Sequence, residues 1–553
     1  MKKGIALFLA SLMGLSLIGC SGKMDEAMDK LSAAEASEYE AADYEEVPEA
    51  PEDDFTYPEE PAADSPYEDA ASEPYYEQIE SKRDVKIDSE EEYDHSDESP
   101  FKDVKTSPLS TFASDVDTAS YSNMRRFIEQ GMKPEGVRIE ELVNYFDYTY
   151  PAPPKGSEDP FAITTEIGQC PWNTNNRLAM VAVQGDRLQQ GADVANNIVF
   201  LLDVSGSMDE PNKLPLLQES FKLLVSKLDE NDVVSVVTYA GSDEILADSV
   251  RGNDQAHINH ILENLWAGGS TAGADGIRTA YDLAEKNWIP NGNNRIILAT
   301  DGDFNVGESS EEALEDLITE KREKGIFISV LGFGMGNLKD NRMETIADHG
   351  NGNYAYIDTI QEAKKVLVDE FDSTMYTIAK DVKFQIEFNP AVVKSYRLIG
   401  YNNRRMENKD FNDDKKDAGD IGAGHNVTAF YELVLADGVK DASVDDLKYQ
   451  NTSTVGSDDF FTVKIRYKKP DGDASKLVEK VVSKDAYTDQ PSQDFGFASA
   501  VAEFGLILTD SEYKANSSLS SVEKRANANL GKDTYGIRKE FVQLVQKYRK
   551  IMD

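Results

Sequence analysis

The chain has 553 residues, room for several domains, and its 102 Asp and Glu against 57 Lys and Arg leave a formal net charge of −45. So acidic a chain repels phosphate backbones and anionic lipid, which argues against nucleic acid as a partner. Only two cysteines are present, Cys20 and Cys170.

At the N-terminus Lys2-Lys3 precede the apolar stretch Ile5–Gly19, which is short for a membrane span and has the length of a signal sequence's apolar region. The stretch ends in Leu17-Ile18-Gly19-Cys20, which resembles a bacterial lipoprotein cleavage box. That resemblance implies removal of residues 1–19 and acylation of Cys20, with more than one acyl chain for stable anchoring. An ordinary secretory signal that happens to contain cysteine is the alternative. With Cys20 lipidated no intramolecular disulfide can form, and Cys170, in Gln169-Cys170-Pro171-Trp172, is expected to be a packed small hydrophobe. Ser21 stands where an inner-membrane retention signal would have Asp, and Lys23-Met24-Asp25-Glu26 resembles the acidic export tags of surface lipoproteins. The expected location is therefore the cell envelope, lipid-anchored and at the outer membrane, with the periplasmic and surface faces both open.

Residues 20–105 form the next segment. Positions 21–100 hold 29 Asp and Glu against five Lys and Arg, a net −24. Such a stretch buries too little apolar surface to offset its ordering entropy, so a disordered acidic tether is expected, spanning roughly 50 Å or more by random-coil scaling. From 106 to 155 the chain turns globular: Tyr121, Met124, Phe127 and Ile128 recur at helical spacing with Asp117 as the expected cap, and a second short helix passes through Ile139, Leu142, Val143 and Phe146. The segment is too short for a core of its own. Residues 156–190 carry two strands, Phe161–Ile167 and Arg177–Val183.

Residues 196–372 alternate strands with helices. The strands are Ile198–Leu202, Val233–Tyr239, Ile296–Thr300, Ile326–Gly332 and Tyr354–Ile357. Leu217, Phe221, Leu224, Val225 and Leu228 make one helical stripe, and Ala274, Ile277, Ala280, Tyr281 and Ala284 another. Ser309-x-x-Glu312 has the spacing of a capping box. This alternation predicts an α/β fold with a doubly wound, mainly parallel, Rossmann-like sheet. From 378 to 485 the period becomes two, with Val382, Phe384, Ile386 and Phe388 alternating with polar residues, as do Phe461, Val463, Ile465 and Tyr467; Phe430–Leu435 is a further strand. These strands need partners, and the two at 161–186 are expected to supply them, so that the α/β domain is inserted into an antiparallel β-sandwich. Residues 490–553 return to helices, with stripes Phe497, Val501, Phe504, Leu508 and Ile537, Phe541, Leu544, Val545, Tyr548.

Within the α/β domain three strand-end loops carry the chemistry. Asp203-Val204-Ser205-Gly206-Ser207 follows Ile198–Leu202, Gly268-Gly269-Ser270-Thr271 precedes a helix, and Thr300-Asp301-Gly302 follows Ile296–Ala299. Parallel strands put such loops on one sheet edge. Two carboxylates and three hydroxyls there are hard oxygen donors suited to Mg²⁺ or Mn²⁺, in preference to Ca²⁺. Asp203, Ser205, Ser207, Thr271 and Asp301 resemble, position by position, the metal-ion-dependent adhesion site of von Willebrand factor type A domains. That resemblance implies hydroxyls on the metal, aspartates acting directly or through water, and a position left for an Asp or Glu carboxylate of a protein partner.

The flanks extend the resemblance. Thr111-Phe112-Ala113-Ser114-Asp115-Val116-Asp117-Thr118-Ala119-Ser120-Tyr121, Asn144-Tyr145-Phe146-Asp147-Tyr148 and Phe504-Gly505-Leu506-Ile507-Leu508-Thr509-Asp510-Ser511-Glu512-Tyr513 resemble YfbK-type von Willebrand factor A lipoproteins. The similarity runs from about Ser107 to Asp553.

Two other constellations compete. Asp301-x-Asp303-x-Asn305 with Glu312 imitates a calcium loop, but Val306 stands where the turn needs Gly and a strand, not a helix, precedes it. His257-x-x-His260 places two imidazoles on one helical face without companion ligands, so a solvated face is expected. Phosphate-loop, nucleophile-elbow and His-Glu-x-x-His patterns are absent, and neither Ser205 nor Ser207 has an adjacent His as base. The expectation is a membrane-anchored binding lipoprotein, not an enzyme. The alternative is a metal-dependent enzyme or an assembly subunit of the envelope, in which the ion polarises a substrate oxygen.

Overall fold

Alternation inside single strands decides the layering of the central sheet. In the strand Asn196–Asp203, Ile198, Phe200 and Leu202 join one buried cluster and Val199 and Leu201 another, so helices must cover both faces. The sheet has six strands in the order Tyr354–Ile357, Ile326–Phe333, Asn293–Thr300, Asn196–Asp203, Val233–Tyr239 and Asp243–Arg251. The first five run parallel and the last is an antiparallel edge. Leu217, Phe221 and Leu224 of the helix Leu214–Val225 pack on one face, and Ile277, Ala280 and Tyr281 of Gly273–Lys286 on the other. The computed structural model describes residues 91–93, 97–114, 117–187, 194–270, 273–302, 311–436, 457–470, 472 and 474–552, all within the unit Asp84–Asp553. Among them no helix is long and apolar enough to cross a membrane.

The chain leaves an antiparallel sandwich at Gly185 and re-enters it at Thr377. One sheet orders Lys102–Asp103, Val393–Ile399, Asn426–Leu435, Arg177–Gly185 and Phe161–Gln169; in the other, Thr377–Phe388 pairs with Ile421–Gly422, Leu109–Ala113 and Phe461–Lys468, and Lys476–Val482 forms the edge. Every second residue of Phe461–Lys468 is buried, and Phe461, Val463, Ile465 and Tyr467 share one cluster with Val181, Val183, Tyr431 and Leu433 of the facing sheet. The α/β domain is thus inserted in a sandwich, as the change of period predicts.

Helices flank both. Tyr121, Leu142 and Phe146, near the start of the described chain, share one buried cluster with Phe497, Phe504 and Phe541 from Gln493–Leu508 and Ile537–Met552. Each set is too small to bury its own face, and each supplies the other's missing wall. Gln493–Leu508 is buried nearly all round, not along one stripe as its spacing predicts. Cys170 is fully buried in the same cluster, and burial pushes its thiol up.

Three expectations need correction. Residues near the end of the segment 20–105 are not tether: the Glu91 carboxylate pairs with Arg126 at 2.7 Å, the Glu92 N–H donates to the Leu338 carbonyl at 3.0 Å, and Lys102–Asp103 is an edge strand. A charge count cannot see that Glu91 has a buried guanidinium waiting for it. Asp117 does not cap the helix Ala119–Glu129; its carboxylate accepts the Tyr354 N–H at 2.8 Å and pairs with Arg404 at 3.1 Å, tying the N-terminal segment to an edge strand of the central sheet. Val393–Ile399, Lys476–Val482 and Asp243–Arg251 are strands that the sequence reading omits. Ser309 and Cys20 lie outside the described residues.

Candidate functional site

Asp203 is the last residue of its strand and is fully buried, so its carboxylate must find donors within the sheet edge. The Ser205 N–H donates to Oδ1 at 2.9 Å, closing an Asx turn that fixes the start of the loop. Thr300 Oγ1 and the Tyr239 hydroxyl donate to Oδ2 at 3.0 and 3.2 Å, one from each neighbouring strand. The turn Gly206–Met208 follows, held by buried Met208, and brings Ser205 Oγ and Ser207 Oγ to 3.0 Å from each other.

The second loop is laced to the first by its backbone. The Gly268 N–H donates to the Val204 carbonyl at 2.8 Å and the Gly206 N–H to the Gly269 carbonyl at 3.2 Å. Gly269 has φ +83°, and a Cβ there would come to 3.3 Å from both Ala240 and the Gly241 nitrogen, so the close approach uses glycine's freedom. Thr271 itself lies outside the described residues, two positions beyond this contact.

Asp301 is fully buried at the end of Asn293–Thr300. Its Oδ2 is 3.0 Å from the Lys213 ammonium, which also donates to the Ser207 carbonyl at 3.0 Å and to Asn337 Oδ1 at 3.2 Å. Gly302, at φ +105°, lets the next strand's loop close over Asp301: a Cβ would sit 2.6–2.8 Å from the backbone of Asn337, Leu338 and Lys339. Burial and the neighbouring Asp301 carboxylate push Asp203 up to about 6, against the lowering effect of hydrogen bonds from Ser205 and Thr300.

Asp203, Ser205, Ser207 and Asp301 therefore converge as their spacing predicts. The sequence reading misses Lys213, Tyr239, Thr300 and Asn337; of these only Thr300, beside Asp301 at a strand end, carries a local signal. The donor set fits a small hard cation. Two buried carboxylates repel one another at a point where hydroxyl oxygens are also gathered. Among the described residues no three His, Cys, Asp or Glu side chains form a metal-holding group, so a cation here would depend on hydroxyl oxygens as well as on the two acids. His257 and His260 are exposed on Gln255–Glu263, whose buried face is Ile258 and Leu262. A strand, not a helix, leads into Asp301, so the calcium-loop geometry is not met.

Comparison with known proteins agrees with this architecture. The family described as "Uncharacterized protein YfbK, C-terminal" matches residues 373–551, the von Willebrand factor type A domain matches 197–369, and a further von Willebrand factor family matches 87–180. YfbK of Escherichia coli (strain K12) is 43% identical over 465 residues, covering 82% of this chain and 80% of that one. The chain belongs to the YfbK family of von Willebrand factor type A proteins. Inter-alpha-trypsin inhibitor heavy chain H3 of Mesocricetus auratus is 28% identical over 176 residues, 30% of this chain and 20% of that one. Among solved structures, a von Willebrand factor type A protein from Catenulispora acidiphila aligns at 15% identity over 70% of this chain and 91% of its own, with a TM-score of 0.41.

Proposed function

We propose that this chain is a membrane-anchored binding protein that captures an Asp or Glu carboxylate of a protein partner through a Mg²⁺ or Mn²⁺ ion held by Asp203, Ser205, Ser207, Thr271 and Asp301. Its von Willebrand factor A domain supports the coarser statement, a role in protein interaction or adhesion. One observation carries the finer one: two buried carboxylates and a pair of serine hydroxyls 3.0 Å apart meet at the sheet edge. Neutral hydroxyls leave a divalent ion under-neutralised, and a partner's carboxylate would supply the missing charge. Among the described residues the Ser205 and Ser207 hydroxyls hydrogen-bond each other, which holds both oxygens at one point for ligation.

Trp266 marks the rim. It is 77% exposed, and its ring lies over Gly268 in the loop laced to Val204. An exposed indole beside a charged centre is the kind of anchor that dominates interface energetics. Acylation at Cys20 and a place in the cell envelope complete the proposal and rest on Leu17-Ile18-Gly19-Cys20; the outer membrane rests on Ser21 and Lys23-Met24-Asp25-Glu26.

Crosslinking on intact cells, with Mg²⁺ or with EDTA, tests the reading. A partner should be captured with Mg²⁺ only, lost with Ser207→Ala, and lost again when its critical Glu or Asp is changed to the amide. A partner captured equally in EDTA would refute metal-bridged binding.

A further inference from the structure

Lys213 is outside the five-residue pattern, yet its ammonium is fully engaged at the site. It is 3% exposed, and three acceptors take its three protons: Asp301 Oδ2 and the Ser207 carbonyl at 3.0 Å, and Asn337 Oδ1 at 3.2 Å. Its stem fills a slot made by glycine. Gly334 has φ +75°, and a Cβ there would lie 2.3–2.8 Å from Lys213 Cε, Cγ and Cδ. Glu210, the other nearby acid at 3.9 Å, is half-exposed and screened by water. The ammonium is thus dedicated to Asp301 and to the backbone of Ser207, two of the residues proposed to hold the ion.

We infer that Lys213 sets the charge of the site, so that a bound divalent ion still calls for an anion. The inference rests on the metal reading above. Asp203 and Asp301 contribute two negative charges and Lys213 one positive. A divalent ion therefore brings the buried group to a net +1, which a carboxylate neutralises. Without the ammonium the same ion would bring the group to zero, the ion would be held more tightly, and an incoming carboxylate would gain little. In a buried, weakly screened setting one unit of charge changes the affinity for a divalent ion by tenfold or more. Lys213 thereby trades metal affinity for carboxylate affinity. It is a positioning and charge-setting residue, and the ligand class it selects is a single carboxylate.

The test is calorimetric titration of Mn²⁺ into the full chain at low ionic strength, for wild type, Lys213→Met, Asp301→Asn and the double variant. The charge account makes Lys213→Met bind Mn²⁺ more tightly than wild type, and the double variant more tightly than Asp301→Asn, each by at least about tenfold. The double variant removes both charges with little change of shape, so it serves where the single Lys213 variant does not fold. Sodium acetate titrated into the Mn²⁺-loaded proteins should follow the reverse order within each pair. A purely structural role would instead weaken Mn²⁺ binding whenever Lys213 is replaced. If the wild type binds Mn²⁺ but Lys213→Met and the double variant bind it no tighter than their respective parents, or if acetate does not follow the reverse order, the inference falls alone. Absence of Mn²⁺ binding in the wild type overturns the metal reading and this inference together.

Discussion

Arg125, in the N-terminal helical segment, grips Asp358, the residue after the last parallel strand of the central sheet, with Nε 2.8 Å from Oδ2. The same guanidinium reaches Glu362 at 2.7 Å and the Tyr145 hydroxyl at 3.1 Å, with almost no solvent contact. The flanking helices are therefore bound to the α/β domain by buried charge as well as by apolar packing. Removing one partner of such a group leaves the others unpaired and costs about 3–5 kcal/mol. Arg125→Met should lower the unfolding free energy of the full chain by that much, seen as a lower urea midpoint, while leaving Mn²⁺ affinity unchanged. A variant of unaltered stability would show that the contact is incidental.

The Asp203 carboxyl titrates at about 6 in the fold against 3.8 outside it, raised chiefly by burial and by Asp301. Between those values the folded chain holds a proton that the unfolded chain has lost. Stability from this group is full below pH 4 and declines as pH rises through 6, by about 3 kcal/mol in all. Metal-free wild type should lose stability relative to Asp203→Asn between pH 4 and 7, and Mg²⁺ at pH 7.5 should restore part of it. Parallel stability curves for the two proteins would contradict this.

Gly302→Ala places a methyl group 2.6–2.8 Å from the backbone of Asn337, Leu338 and Lys339, at φ +105°. Positive φ and a backbone clash together should cost about 2–4 kcal/mol. Asp301 would move with it, so Mn²⁺ affinity should fall as well. Thermal unfolding and metal titration of this variant check both effects.

What the sequence discloses divides along a physical line. Ile198–Leu202 and Phe461–Tyr467 announce themselves because burial on two faces or on one leaves a local pattern. Asp203, Ser205 and Ser207 are legible because one tight turn holds them. Lys476–Val482 is not, since at an exposed edge its charged residues look like any solvated stretch. Lys213 is hidden for another reason: its partner Asp301 lies 88 residues away, and nothing around Pro211-Asn212-Lys213 separates a buried ammonium from a surface one. Glu91 is the same case, identified only by the distant Arg126 that receives it.

Cys20→Ser tests the anchor. Acyl chains, not the polypeptide, are proposed to hold the protein to the bilayer, so the variant should be soluble or unprocessed in cell fractionation. Persistence with membranes after a high-pH wash would rule out lipid anchoring through Cys20.

Metal titration of the full chain, wild type against Ser207→Ala, addresses the central claim most directly. Ser207→Ala removes one oxygen from the hydroxyl pair with little change of volume, and the turn that carries it is held by the Asp203 carboxylate and buried Met208, so the fold should persist. His257→Ala, on an exposed helical face, is the control and should bind like wild type. The account predicts one Mn²⁺ or Mg²⁺ ion bound per wild-type chain and binding weakened by about a hundredfold or more in Ser207→Ala. Wild-type affinity in Ser207→Ala would contradict it.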